Sequence, residues 1–263
     1  MDPRLDPALK VAELLLQIKA VKLSPTKPFI WASGWKSPIY CDNRKTLSHP
    51  AVRTYIRQQF TQVIEREFGK PDMIAGVATG GIAHGMLVAQ EMGLPFVYVR
   101  SSAKEHGLKN LVEGDLTTGR NVVVVEDLVS TGSSSLNAVH ALREAGLEVK
   151  GMVSIFTYGF DVAQQAFDHA RVKLVSLTDY SILLDQALRS GYVNEKEMPL
   201  LNEWRQDPAD WDWELLLVQV KRNVPPAPVG HGASVPGAAT VRGHATIGPR
   251  GQVPSAPAPH RAR

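Results

Sequence analysis

Short apolar runs alternate with amphipathic stretches from the N-terminus to about residue 222. The apolar runs are rich in β-branched residues, which is typical of strands, and the amphipathic stretches have the period of helices. Repeated strand–helix units predict an α/β fold with a doubly wound, mainly parallel sheet and helices on both faces. The predicted strands are 29–31, 37–41, 73–78, 96–100, 122–125, 153–157 and 174–177, and the predicted helices are 7–20, 51–68, 82–92, 134–145 and 182–189, followed by a tryptophan-rich segment at 204–213.

The composition changes at residue 223, so we expect a folded domain over residues 1–222 and a disordered tail over 223–263. The tail holds eight of the 18 prolines and six of the 21 glycines. It also holds four arginines and no acid, so subtracting four from the net charge of +3 leaves −1 for residues 1–222. A body this close to neutral gives no basis for a nucleic-acid-binding face.

Cysteine usage and hydropathy narrow the class of protein. Cys41 is the single cysteine, so the chain has no internal disulfide and no cysteine metal cluster. No apolar run approaches the ~20 residues of a membrane span, and residues 1–7 lack the basic-then-apolar order of a secretory signal. We therefore expect a cytoplasmic protein with no membrane partner.

The most informative stretch runs from an apolar strand into two acids and a hydroxyl-rich loop. Residues 122–125 are all valine, and Glu126, Asp127, residues 128–129 and the loop 130–134 follow. Backbone N–H groups and hydroxyls between a strand and a helix N-terminus can bind one phosphate, although a serine-rich helix N-cap is the alternative interpretation. The acids would repel a bare polyphosphate but can accept hydrogen bonds from two sugar hydroxyls. Together these features predict a ribose 5-phosphate ligand.

The pattern over residues 124–133 resembles the signature of the type I phosphoribosyltransferases, which bind 5-phosphoribosyl 1-pyrophosphate, with Glu126 in place of a frequent aspartate. The resemblance implies the type I phosphoribosyltransferase fold, with a small N-terminal hood at about residues 1–45. It implies that Glu126 and Asp127 hold the ribose hydroxyls and that residues 130–134 anchor the 5-phosphate. It also implies Mg²⁺ held mainly by substrate oxygens, with Asp127 as the one candidate protein ligand.

A glycine-rich cluster follows the predicted strand at 73–78. The adjacent glycines Gly80 and Gly81 let the backbone approach a ligand closely, although a tight strand-to-helix turn would use them equally well. The resemblance makes Thr79 and Gly80 part of the loop that holds the pyrophosphate through backbone groups. Some relatives carry a lysine where Gly80 stands, so this chain lacks one positive contact at that position.

The polar stretch over residues 100–119 predicts a long mobile loop of the kind that often covers an active site. Its spacing Arg100-x-x-x-Lys104-x-His106-Gly closely resembles the catalytic loop of the orotate phosphoribosyltransferases, although a solvated charge run is the alternative interpretation. The resemblance implies that Arg100, Lys104 and His106 neutralise the leaving pyrophosphate, with His106 also able to donate a proton. It also implies a homodimer in which this loop closes over the neighbouring subunit's active site.

The segment 33–42 resembles the family's base-recognition segment, in which an aromatic ring stacks near the pyrimidine. Tyr40 is the matching position and Ser130 is the second predicted orotate-binding residue, although a hydrophobic hairpin packed on the core is the alternative interpretation. Many relatives carry an arginine that pairs with the base carboxylate, at a position near Thr157, and this chain has none there. Backbone amides or the Ser130 hydroxyl are the candidates for that contact.

The resemblance extends from about Leu14 to about Ala187 and implies an activity. The protein is expected to transfer 5-phosphoribosyl from 5-phosphoribosyl 1-pyrophosphate to orotate, giving orotidine 5′-monophosphate and pyrophosphate for pyrimidine biosynthesis. The implied catalytic residues are Arg100, Lys104, His106 and Asp127, and the implied donor-binding residues are these four with Thr79, Gly80, Glu126, Leu128, Val129, Ser130, Thr131, Gly132, Ser133 and Ser134.

Two other functions stay open at this point. A phosphoribosyltransferase for another base would explain the missing arginine but not the Arg100–His106 loop. A non-catalytic regulator that senses phosphoribosyl pyrophosphate and binds nucleic acid would need a basic surface. The near-neutral body argues against that surface, and only the arginine-bearing tail leaves room for it.

Overall fold

The computed structural model describes residues 6–31, 34–102, 111–215 and 218. Ser33, Lys104, His106 and the predicted tail at 223–263 lie outside the described residues. The described residues belong to one compact unit, which spans Met1–Val224. Among them, no helix combines the length and the apolar character needed to cross a membrane.

Strands and helices alternate through the described residues. In chain order the strands are β1 (Val21–Leu23), β2 (Phe29–Ile30), β3 (Lys36–Ser37), β4 (Ile39–Cys41), β5 (Met73–Val77), β6 (Phe96–Val99), β7 (Val112–Glu113), β8 (Asn121–Val129), β9 (Glu148–Thr157) and β10 (Leu174–Asp179). The α-helices are α1 (Pro7–Gln17), α2 (Pro50–Phe68), α3 (Gly80–Met92), α4 (Ser133–Glu144), α5 (Asp161–His169), α6 (Tyr180–Arg189) and α7 (Met198–Gln206). Short 3₁₀ helices span Asn43–Ser48 and Leu116–Thr118.

Six strands form the main sheet, in the order β10-β9-β8-β5-β6-β7. Neighbouring strands are parallel except β6 and β7, which are antiparallel. Helices α1, α2, α3 and α6 pack on one face of the sheet, and α4 and α5 pack on the other. The predicted doubly wound α/β architecture is therefore confirmed.

The valine run in β8 is buried on both faces of the sheet, as predicted. Val123 and Val125 lie in the core that includes α1, α2 and α3, whereas Val122 and Val124 lie in the core that includes α4 and α5. A strand covered by helices on both faces has no polar side to alternate with. The unbroken apolar run is the direct consequence of that position.

Strand β8 is longer than the predicted strand at 122–125. It continues through Glu126 and Asp127 to Val129, because β9 pairs with it as far as Thr157. The two acids therefore stand on a strand, and the hydrogen bonds of the ladder fix the backbone that carries them.

The order in which the chain adds strands to the sheet reverses at β5. The chain leaves β5 to form β6 on one side and later returns to form β8 on the other. Ligands of open α/β sheets bind at such a switch point, beyond the carboxyl ends of the strands. The carboxyl ends of β5 and β8 carry the Thr79–Gly80 loop and the paired acids, so the fold brings both clusters to one crevice.

Two antiparallel strand pairs, β1 with β4 and β2 with β3, form the N-terminal hood. Trp204 of α7 packs edge-on against Trp31 of the hood, with ring centroids 5.6 Å apart. Its Nε1 also donates a hydrogen bond to the Lys36 carbonyl at 3.2 Å. The C-terminal tryptophan-rich segment, which the sequence left without an assigned structure, therefore holds the hood in place.

The prediction of one structureless loop over residues 100–119 is wrong for its second half. Val112 is 3% exposed, and it lies opposite Val99 in the antiparallel pair of β7 and β6. The 3₁₀ helix Leu116–Thr118 follows. A strand of two residues is too short to show a period in the sequence, and its order comes from tertiary burial.

Candidate active site

The carboxyl ends of β5 and β8 and the residues after β4 enclose a pocket of about 370 Å³. We call it the acidic pocket, because Asp42, Glu126 and Asp127 line it. Residues far apart in the sequence meet here. The other lining residues are Cys41, Arg44, Ala78, Thr79, Gly80, Leu128 and Ser134.

Glu126 is the more deeply buried of the paired acids. It is 5% exposed, and its carboxylate accepts hydrogen bonds from the Asp127 backbone N–H at 3.0 Å and from the Ser135 hydroxyl at 3.2 Å. Burial raises the pKa of Glu126 well above its ordinary value, and the charge of Asp127 raises it further. Burial also raises the pKa of Asp127. A ligand that donates hydrogen bonds to these carboxylates would favour their charged forms.

Gly80 lies directly against Asp127. A Cβ built at Gly80 would overlap the Asp127 carboxyl group, so a side chain at this position would have to displace that carboxylate. The loop after β5 therefore presents backbone groups to the acidic pocket, right beside the acids.

The loop after β8 leads into an open helix N-terminus. Gly132 has a left-handed φ of +85°, and a Cβ there would come within 3.0 Å of the Phe167 ring. No side chain among the described residues caps α4, so its first N–H groups and the positive end of its dipole are available to an anion. Ser133 and Ser134 are exposed at this end. These features together suit a phosphate group.

A second pocket, of about 280 Å³, adjoins the acidic pocket and shares Cys41 and Leu128 with it. We call it the aromatic pocket, because three aromatic side chains line it. The two predicted orotate-binding residues, Tyr40 and Ser130, both line this pocket. Its other lining residues are Ile30, Trp31 and Tyr158.

Tyr158 lines the aromatic pocket just beyond the end of β9. Its ring is 2% exposed and packs against Trp31 with centroids 5.2 Å apart. Its hydroxyl makes no hydrogen bond with any described residue. Burial raises the pKa of Tyr158 well above its ordinary value, so the hydroxyl stays protonated and can donate a hydrogen bond to a ligand.

Comparison with known proteins agrees with this geometry. Residues 44–180 match the phosphoribosyl transferase domain family. Over 201 residues the chain is 59% identical to the orotate phosphoribosyltransferase of Phocaeicola vulgatus, covering 76% of this chain and 95% of that protein. It is 60% identical to the orotate phosphoribosyltransferase of Bacteroides fragilis over 201 residues, with the same coverage of both. This chain belongs to the orotate phosphoribosyltransferase family.

The fold of the family is also evident from a solved structure. The crystal structure of the orotate phosphoribosyltransferase from Aeropyrum pernix matches this chain with a TM-score of 0.62 at 28% identity. The match covers 70% of this chain and 99% of that chain. The type I phosphoribosyltransferase fold and the family expected from the sequence are thereby confirmed.

The structure brings many of the family's implied donor-binding residues together, although not all of them. Val129 is fully buried, and its carbonyl accepts a hydrogen bond from the Thr157 hydroxyl at 3.2 Å. Arg100 does not line the acidic pocket of its own chain; it lines a separate pocket and pairs with Glu113 at 3.6 Å. The implied residues that do line the acidic pocket are Thr79, Gly80, Glu126, Asp127, Leu128 and Ser134.

Sequence reasoning missed three residues that the fold places at the candidate site. Arg44 lines the acidic pocket, Tyr158 lines the aromatic pocket, and the side chain of Asn43 donates a hydrogen bond to the Asp127 carbonyl at 2.7 Å. One signal was available for Tyr158, since it directly follows Thr157, where the family's arginine was sought. No local pattern marks Asn43 or Arg44 as facing strand β8.

The oxygen donors of the acidic pocket fit a magnesium ion that binds together with the substrate. Mg²⁺ prefers oxygen ligands and keeps several waters, so one or two carboxylates are sufficient when phosphate oxygens complete the shell. Glu126 and Asp127 supply such carboxylates. Among the described residues, no group of three or more His, Cys, Asp or Glu side chains is placed to hold a metal.

Proposed function

We propose that this protein transfers the 5-phosphoribosyl group of 5-phosphoribosyl 1-pyrophosphate to N1 of orotate, as an enzyme of pyrimidine biosynthesis. Each pocket receives one reactant: the sugar donor occupies the acidic pocket and orotate occupies the aromatic pocket. The relatives at 59% and 60% identity are orotate phosphoribosyltransferases, which favours orotate over other bases.

The observation that carries the proposal is the contact between the two pockets. They share Cys41 and Leu128, so a ribose held by Glu126 and Asp127 lies next to a base held in the aromatic pocket. Holding two reactants in contact supplies a large part of the catalytic rate. Aromatic walls also suit a flat pyrimidine ring, which stacks on them.

The acids support the bond change at C1. The bond from C1 to the pyrophosphate oxygen breaks, and pyrophosphate leaves with the electron pair. N1 of orotate supplies the pair for the new C1–N1 bond, and its proton passes to solvent. Positive charge develops on the ribose during this exchange, and Glu126 and Asp127 oppose it while they accept hydrogen bonds from the ribose hydroxyls. Residues 130–134 and the N-terminus of α4 hold the 5-phosphate.

The family's loop supplies positive charge to the leaving group. In our proposal Arg100, Lys104 and His106 neutralise the pyrophosphate, and His106 donates a proton to it. Arg100 lies outside the acidic pocket of its own chain, which supports a homodimer whose loop serves the neighbouring subunit. Bound Mg²⁺ would add charge neutralisation, with Asp127 as its protein ligand. We place this reaction in the cytoplasm.

Orotate consumption tests the proposal directly. The full chain is mixed with orotate, 5-phosphoribosyl 1-pyrophosphate and Mg²⁺, and the loss of orotate absorbance is compared with pyrophosphate release. Equimolar change in both is the expected result. Turnover with uracil or a purine but not orotate would assign another base. Binding of the donor in calorimetry without any product would instead indicate a non-catalytic sensor.

The loop is tested separately by Lys104→Ala. Removing a charge-stabilising group from an active site costs about 10²–10³-fold in kcat, so a loss of that size is expected without a change in melting temperature. Lys70 is exposed, and Lys70→Ala is the matched control, with normal turnover expected. Near-normal turnover of Lys104→Ala would remove the loop from the mechanism.

A further inference from the structure

The acids of the acidic pocket repel an anionic donor, so binding of the donor needs positive charge near the pocket. Three acids line it, and a donor that carries a 5-phosphate and a pyrophosphate is itself a polyanion. Among the described residues that line the pocket, Arg44 is the single lysine or arginine. Every other cationic side chain of the proposed mechanism comes from the loop that begins at Arg100.

Position 80 is a glycine in this chain and supplies no charge. Some relatives carry a lysine there, but in this chain a Cβ at Gly80 would overlap the Asp127 carboxyl group. A side chain there would have to shift the carboxylate that the proposed mechanism uses. Besides the loop and Mg²⁺, another element of the fold can therefore supply positive charge beside the pyrophosphate.

Arg44 is held in a suitable place by its neighbours. It lies on the 3₁₀ helix Asn43–Ser48, and Asn43 fixes that helix to β8 through its 2.7 Å hydrogen bond to the Asp127 carbonyl. The Nε of Arg44 donates a hydrogen bond to the Asp42 carboxylate at 2.7 Å. Asp42 therefore holds the arginine stem against the pocket wall.

The rest of the Arg44 guanidinium is free to bind an anion. Its Nη1 and Nη2 groups donate no hydrogen bond to the described residues, and the side chain is 60% exposed. A guanidinium offers two parallel N–H donors that match the oxygens of a phosphoryl group. Burial raises the pKa of Asp127, and the charge of Arg44 is among the influences that oppose this rise, which reflects how close the two side chains lie.

We propose that Arg44 is a donor-binding residue that contacts the pyrophosphate of the sugar donor from the hood side of the acidic pocket. It supplies positive charge that Gly80 does not. Asp42 is its positioning residue, because it holds Nε and leaves the two Nη groups to the ligand. The inference rests on the proposed function, since it assigns the pyrophosphate to this pocket.

Arg44→Gln tests the inference when the affinities for the whole donor and for each of its two parts are measured separately. Calorimetry with Mg²⁺ measures the Kd of the donor, of inorganic pyrophosphate and of ribose 5-phosphate. A hydrogen bond to a charged group contributes about 1.5–3 kcal/mol, so the Kd of the donor and of pyrophosphate should rise about tenfold or more. The Kd of ribose 5-phosphate and the KM of orotate should stay within twofold. Arg44→Lys, which keeps the charge but loses the paired donors, should fall between the two proteins.

Lys45 is the matched control on the same 3₁₀ helix. It does not line the acidic pocket, and Lys45→Gln removes one positive charge at the adjacent residue. This variant should bind pyrophosphate as the parent does. Melting temperatures of all three variants report whether the hood stays folded.

The possible results separate this inference from the proposed function. Unchanged pyrophosphate affinity in Arg44→Gln, with a parent that binds the donor and consumes orotate, overturns the role of Arg44 alone. An equal loss in Lys45→Gln would overturn it as well, because the effect would then be general electrostatics. A parent that neither binds the donor nor consumes orotate would overturn the proposed function itself.

Discussion

The side-chain amide of Asn43 donates a hydrogen bond to the backbone carbonyl of Asp127, across 2.7 Å and 84 positions of sequence. Asn43 is almost fully buried. The backbone carbonyl of Asn43 accepts a hydrogen bond from the Thr46 hydroxyl at 2.6 Å. One side chain thus joins the hood to the strand that carries both acids. A substitution of Asn43 should therefore affect both the hood and the acidic pocket.

Replacing Asn43 by alanine should lower both stability and donor binding. A buried carbonyl left without its partner costs about 1–3 kcal/mol, so the free energy of unfolding should fall by that amount in urea titrations. The KM of the sugar donor should rise, because Asp127 and Arg44 lose a common anchor. Asn202 is exposed, and Asn202→Ala is the control. Lower stability with an unchanged KM would show that the contact holds the hood without positioning the acids.

Replacing Tyr158 by phenylalanine should weaken the binding of orotate. Tyr158 lines the aromatic pocket, its hydroxyl has no partner among the described residues, and no arginine is present at Thr157 to meet the base carboxylate. Losing one hydrogen bond to a charged group should raise the KM of orotate about tenfold, while the KM of the sugar donor stays unchanged.

Tyr192 is exposed, so Tyr192→Phe is a matched control that should leave both constants unchanged. An unchanged KM of orotate in Tyr158→Phe would show that Ser130 or backbone amides, and not Tyr158, bind the base carboxylate.

Replacing Glu126 by glutamine should stabilise the free protein at neutral pH. Burial and the charge of Asp127 raise the folded-state pKa of Glu126 well above its value in the unfolded chain. The stability that this carboxyl contributes is thus present at low pH and is lost as the pH rises through its folded-state pKa.

The difference between the melting temperatures of Glu126→Gln and the parent should therefore increase as the pH rises above 4.5, the ordinary pKa of a glutamate. Exposed Glu148 provides the control variant Glu148→Gln. A difference that is flat with pH would contradict the raised pKa.

Acid should loosen the hood through His84. This buried histidine lies on α3 with its Nε2 3.0 Å from the Thr46 hydroxyl, and burial lowers its pKa to about 4. The neutral ring is favoured in the folded state, so its contribution to stability is complete above the unfolded pKa near 6.5 and is lost as the pH falls through about 4. The full effect is on the order of 3 kcal/mol, given about 1.4 kcal/mol per pKa unit.

The measurement is the free energy of unfolding between pH 6.5 and pH 4. The parent should lose more stability over this range than His84→Gln does. The exposed His49 gives the control His49→Gln, which should follow the parent. If His84→Gln loses as much as the parent, another group accounts for the acid sensitivity.

The sequence was most informative where one local pattern had one structural cause. The valines of 122–125 predicted a strand buried on both faces, because no polar side chain can alternate along such a strand. The acids and serines after them, together with the glycines after β5, predicted two ligand-binding clusters at strand ends. The parallel topology then placed those ends at one edge of the sheet.

The sequence pattern did not predict the shortest strands or the site residues that belong to no motif. Strands β1 and β7 have three and two residues, which is too few to show a period, and pairing with other strands orders them. Arg44 and Tyr158 carry no motif of their own. Arg44 was one charge in a polar segment, and Tyr158 was one aromatic residue after a strand.

What the sequence by itself determined was the longer strands and helices and the family, and it predicted the phosphate- and ribose-binding clusters, since each depends on residues that are close together in the chain. Only the tertiary structure decided that Arg44 and Asp127 line one pocket, that Tyr158 lines the next pocket, and that Gly80 lies against the Asp127 carboxyl group. Those relations join residues tens of positions apart. They depend on strand order, register and the docking of the hood, which are set by packing over the whole core.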